Sequence, residues 1–201
     1  MGDSRIVRKQ QNQKGGGYMT LEYAKKLLSE KGIPFIETIY ESEKEYWLKN
    51  KEFENASFKN AREMKVATIV IMSNNKHKNL ILQFYEKNNE FEFDDMLFGA
   101  WFFEMFDYNP DMLVDDLLHN IEFVMSGNAM VIDSYKICHG TKKWYSDAIF
   151  NMSDDENVSD KLGFEKALAR IEQKKSFLKT LFGVKMYYDI YDWNTYRNVV
   201  K

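Results

Sequence analysis

Cysteine is almost absent from this chain: Cys138 stands alone among 201 residues. That excludes an internal disulfide, makes a thiolate metal site a poor expectation, and fits a reducing compartment. Long hydrophobic runs are absent too. The longest nearly uncharged apolar stretch, MLFGAWFF at 96–103, is far short of the roughly 20 residues that cross a bilayer as a helix, and no charged-then-apolar leader opens the sequence. The expectation is a cytoplasmic protein without membrane contact.

The signatures of common chemistries are also missing. GGG at 15–17 is followed by Tyr18, where a phosphate loop needs lysine and a hydroxyl residue, and neither GxGxxG nor GxSxG occurs. The three histidines are dispersed, with His77 in a predicted hairpin turn. His139 adjoins Cys138, but neighbours in a tight turn point apart, which argues against a metal pair or an activated thiol. His119 reads as a rim residue of a helix. Asp111 and Asp115 lie four apart at the start of a predicted helix, where the helix dipole alone accounts for acidic residues. DDEN at 154–157 lacks the ligand spacing and the glycine of a calcium loop. EMK at 63–65 and DSYK at 133–136 match only fragments of the carboxylate and lysine pattern of metal-dependent nucleases. No catalytic residue, metal site or cofactor is expected.

What the chain does have is apolar mass. At 44% hydrophobic and 15% aromatic, it buries enough area to offset chain entropy over most of its length. Residues 19–201 are expected to form one domain. Residues 1–18, polar and ending in a glycine run, read as a flexible basic leader, a tag or an upstream start.

Periodicity gives the elements. TLEYAKKLLSEKG reads as a helix from Thr20 to Gly32. Strands follow near Phe35 to Tyr40 and Tyr46 to Leu48, with a short helix as the alternative over the polar stretch to Arg62. KVATIVIMS and LILQFYE form a hairpin that continues into EFEFDD as a meander. LFGAWFFEMFDY is apolar on both alternating faces, which suits a strand covered on both sides, or else a buried helix. A second helix is capped by Asn109 and ends at Gly127, with Leu113, Leu117, Ile121 and Val124 as its core stripe. AMVIDSYKI and KKWYSDAIFNM make a second hairpin. A third helix runs from Asp160 to Gly183, with Leu162, Leu168, Ile171, Leu178 and Leu181 inward. VKMYYDIYDW closes the chain as a strand. Without a regular βαβ alternation, the fold class is α+β: one largely antiparallel sheet of six to eight strands with about three helices.

Charge is unevenly spread. Setting aside residues 1–18, the remaining 24 basic and 30 acidic residues leave a net charge of −6. Residues 84–116 hold ten carboxylates and one base, Lys87, for a local net of −9. Such a region repels nucleic acid and steers basic partners toward it. In the last strand, Tyr187, Tyr191 and Trp193 alternate with Asp189 on one face. Exposed, they suit a protein interface; covered by a helix, they are ordinary packing.

In size, acidity and aromatic content, and in FGAWFFEMFDYNPD, SGNAMVIDSYKICHGTKKWYSDAIFN and YDIYDWNTY, the chain resembles the bacterial immunity proteins that neutralise polymorphic or contact-dependent toxins. The resemblance implies a non-enzymatic toxin inhibitor that binds a basic toxin domain through carboxylates and aromatics. Carried over by charge, it implies contacts from Asp94, Asp95, Glu104, Asp107, Asp189 and Asp192, beside Tyr187, Tyr191 and Trp193; burial against an internal partner is the alternative for Glu104. Two other classes stay open. One is a metal-dependent hydrolase or nuclease using the acidic cluster; the other is a phage or mobile-element protein that blocks a host defence protein by the same acidic mimicry.

Overall fold

Thr20 marks the start of the first helix. Its hydroxyl accepts a hydrogen bond from the Tyr23 amide (3.3 Å) and caps helix α1 (Leu21–Glu30), whose Leu21, Ala24 and Leu28 are buried. The structure, a computed structural model, describes residues 18–49, 61, 63–99, 101–103, 105, 109–138, 141–153, 158–172 and 185–200. The expected basic leader, apart from Tyr18, lies outside the described residues.

Among these residues the fold is α+β with two antiparallel sheets in place of one. The first has five strands in chain order: β1 (Ile36–Tyr40), β2 (Val66–Ile71), β3 (Leu80–Lys87), β4 (Glu90–Phe98) and β5 (Trp101–Phe103). The second has the order β7 (Thr141–Asn151), β6 (Ala129–Cys138), β8 (Lys185–Tyr191) and β9 (Tyr196–Val200). The helices are α1, α2 (Glu43–Lys49), α3 (Pro110–Met125) and α4 (Val158–Glu172).

Alternation sorts the side chains. Ala67, Ile69 and Ile71 of β2, Leu80, Leu82 and Phe84 of β3, and Met96 and Phe98 of β4 form the inner face of the five-stranded sheet. They share one core with α1, with Leu113, Leu117, Ile121 and Val124 of α3, and with Val131, Tyr191 and Trp193 from the second sheet's side. α4 packs Ile171 on the other face of that second sheet, against Ile132 and Ile190. The expected inward Leu162 is 46% exposed, because Phe164, Ala167 and Leu168 fill the contact instead. Leu178 and Leu181 lie outside the described residues.

Three expectations for single elements are corrected. Tyr46–Leu48 is helical: the Ser42 hydroxyl accepts from the Glu45 amide (3.2 Å), while the Glu45 carboxylate accepts from the Glu41 amide (2.8 Å). This reciprocal capping outweighs the aromatic and apolar residues that suggested a strand. The stretch from Leu97 is no single covered strand, since β4 ends at Phe98, Gly99 turns at φ +59°, and β5 folds back along β4. Finally, the terminal strand is a hairpin. Asp192 turns it by accepting from the Asn194 and Thr195 amides (2.6 Å each).

Gly99 is required twice over. Its positive φ disfavours a side chain, and a Cβ there would overlap the Tyr191 hydroxyl and ring. Gly99→Ala is expected to lower stability by at least about 2 kcal/mol, from backbone strain plus a disturbed buried hydrogen bond. In urea unfolding this reads as a lower midpoint with the slope kept; an unchanged midpoint would mean the turn has slack.

Candidate functional site

β4 reads EFEFDDMLF, and its register places the charges. Phe84 pairs with Phe93 while Gln83 pairs with Asp95, so Asp94 is an extra residue in a β-bulge. The bulge changes the alternation by one. Phe91, Phe93, Met96 and Phe98 all face the core, and Glu90, Glu92, Asp94 and Asp95 share the outer face of one strand. Asp94 and Asp95 thus stand together, where their adjacency in sequence predicted opposite directions. Within this row Lys87 meets Glu92 at 2.8 Å, which raises the lysine pKa, chiefly through that hydrogen bond.

Next to these carboxylates on the same face runs an apolar row, one residue from each strand: Ile36, Val70, Ile81, Leu97 and Phe102. Its centre is buried, but Ile36 and Phe102 at its ends are about half exposed. At the far end of the face, α2 covers Tyr40, Val66 and Tyr85 with Tyr46. There the Gln83 amide donates to the Tyr85 hydroxyl, which donates to buried Glu43 (2.7 Å each).

The acidic stretch 84–116 is split by the fold. Asp111, Asp115 and Asp116 ride on α3, which packs on the inner side of the five-stranded sheet, so the sheet separates them from β4. Glu104 and Asp107 lie outside the described residues.

The aromatic and acidic residues expected as surface anchors in the last strand are mostly inside. Tyr191 is fully buried, Asp189 is 2% exposed and Trp193 5%. Trp193 packs against Phe98, and its carbonyl accepts from Asn75 (3.0 Å). Asp192 is used in the hairpin turn. Tyr187 is half-buried and hydrogen-bonded to Asn198. The physical reason is that both faces of β8 are covered: α4 lies on one, and the β2–β3 loop of the first sheet approaches the other.

That loop delivers Lys78, a residue with no signature in sequence. Asp133 and Asp189 are direct cross-strand partners, both buried. The Lys78 ammonium lies 3.9 Å from one and 3.8 Å from the other, in the position of a shared cation. Lys142 reaches Asp189 at 3.6 Å and lies 3.8 Å from the ring centres of both Tyr135 and Tyr187. Burial pushes the Lys142 pKa down, helped by the charge of Lys78 and opposed by Asp189. Tyr196 donates to Asp189 (2.6 Å) and stacks on His77 (4.2 Å). Tyr191 is within hydrogen-bond distance of the Phe98 carbonyl (3.1 Å) and the Asp133 carboxyl (2.9 Å). One hydroxyl proton serves only one acceptor fully. Protonating Asp133 resolves the conflict, since its own proton goes to Tyr191 and that of Tyr191 to Phe98. Burial pushes the Asp133 pKa up to about 7; nearby Asp147 and Asp189 add to this, while Lys78 and the Tyr191 hydrogen bond oppose it. Its second oxygen, Oδ1, has no hydrogen-bond partner among the described residues.

The sequence signal for this cluster was an aspartate in the middle of each apolar strand, in MVIDSY and in YDIYDW. The DSYK fragment separates, because two strand neighbours apart by three residues face opposite sides: Asp133 inward, Lys136 outward. Among the described residues no three side chains of His, Cys, Asp and Glu converge as a metal-holding group, and no helix is long and apolar enough to cross a membrane. No family model, no curated protein and no solved structure matches this chain.

The Asp133 carboxyl binds its proton more tightly folded (about 7) than unfolded (3.8). Between those values the native state holds the extra proton, so stability falls as pH rises from about 4 to about 7, by roughly 4 kcal/mol at most. Asp133→Asn should flatten that slope and leave the protein at least as stable as wild type at pH 8, read by urea unfolding across pH. An unchanged slope would assign it to other groups.

Proposed function

We propose that this domain is a non-enzymatic protein-binding module that neutralises a basic partner, a toxin inhibitor of the immunity-protein kind, and that the outer face of β4 is its contact surface. The observation that carries the reading is the bulge at Asp94, which gathers four carboxylates on one face of one strand beside a partly exposed apolar row. Carboxylates at successive outward positions concentrate negative potential on one strand and so favour a cationic partner. Half-exposed Phe102, in the strand beside β4, supplies apolar area that excludes water from a contact, while the carboxylates set orientation and association rate. By contrast, Asp189, Tyr191 and Trp193 support the fold and are not proposed as contacts.

The test is calorimetric titration with the purified product of the gene adjacent to its own. Binding is expected, weakened about tenfold or more between low and high salt. The double reversal Glu90→Lys with Asp94→Lys is expected to abolish it while circular dichroism stays that of wild type. Failure to bind, or binding indifferent to the reversal, overturns the proposal.

A further inference from the structure

β7 is an edge strand, with β6 as its only sheet neighbour among the described residues. Lys143 to Ser146 are all exposed, and Trp144 and Tyr145 are 56% and 52% exposed. A second bulge shapes this edge: Tyr135 pairs with Trp144 and Ser134 with Ser146, so Tyr145 is the extra residue. Trp144 therefore shares a face with Tyr135 and Tyr187, while Tyr145 points to the opposite face.

Lysines occupy both faces as well. Lys142 and Lys185 sit in one cross-strand row through Ile137; Lys143 lies directly opposite Lys136 on the other face. The Lys136 ammonium covers one side of the Tyr145 ring at 3.7 Å. Lys136, Lys143 and Lys185 make no ion pair among the described residues. Like charges directly opposite destabilise a sheet, so the Lys136 and Lys143 pair is a cost that no ion pair among the described residues offsets. Edge lysines and bulges also keep edges from pairing indiscriminately. That role accounts for the lysines, but not for two large aromatic side chains left open beside them.

We propose that the β7 edge at residues 142–147 binds an acidic, extended polypeptide segment as an added strand. An added strand sends alternate side chains to both faces, which matches lysines and aromatics placed on both. Single-stranded nucleic acid stacks its bases along one aromatic face, and here the two rings face apart. The β7 edge of a second copy brings one carboxylate, Asp147, together with two lysines of its own, Lys142 and Lys143, and so answers this charge poorly. An acidic strand meets opposite charge on either side. This surface is separate from β4, so it stands or falls independently of the function proposed above.

The experiment uses the full chain and a short synthetic peptide alternating glutamate and threonine, followed by hydrogen exchange and by tryptophan fluorescence compared with Trp144→Phe. Saturable binding is expected, weaker at high salt, with slowed exchange of amides within 142–147. Lys136→Glu with Lys143→Glu is expected to weaken it about tenfold or more; both side chains lie at the surface and wild-type circular dichroism should persist. Three outcomes overturn the proposal: no binding at millimolar peptide, equal binding of the matching lysine and threonine peptide, or binding of a single-stranded oligonucleotide with no protection of the β7 backbone.

Discussion

Two aspartates paired across neighbouring strands cannot both be buried as anions unless something answers their charge, and much of this molecule follows from how that is done. The answer comes from the other sheet. Lys78, held in the β2–β3 loop, places one ammonium between Asp133 and Asp189, while Asn75 in the same loop ties the chain to Asp192 and Trp193. Removing Lys78 from such a cluster would leave the buried Asp189 charge poorly answered. The hydrogen bond from Tyr191 to Phe98 and the Gly99 turn beneath it extend the joint into the first sheet.

Much of the local structure was legible in sequence because local chemistry decides it. Thr20, Asn109, Gly32 and Gly127 mark helix ends by capping and by positive φ, and the hairpins of β2–β3 and β6–β7 follow from alternation alone. What was not legible depended on distant partners. Asp189, Tyr191 and Trp193 carry the composition of an interface, and only the arrival of residues 73–79 from far along the chain makes them interior. The face of Asp94 and Asp95 turned on a single extra residue, and a bulge of that kind leaves no mark in composition.

The surface that results is divided by charge. Carboxylates line the outer face of β4, and lysines with exposed aromatics line the open edge of β7. Each arrangement rests on the same device, a bulge that moves one side chain across its strand. Net charge, slightly negative for the whole chain, conceals this separation entirely. The electrostatic demands of the two surfaces on a partner have opposite sign.

The closing of the joint by β8 and β9 also bears on how the chain assembles. Lys78 meets its second carboxylate only when residue 189 is present, and Tyr191 and Trp193 complete a core begun by Met19 and Leu21. The interior of the first sheet therefore stays unfinished until residues 189–193 join it. Contacts so far apart in sequence make for slow folding and a long exposure of apolar surface.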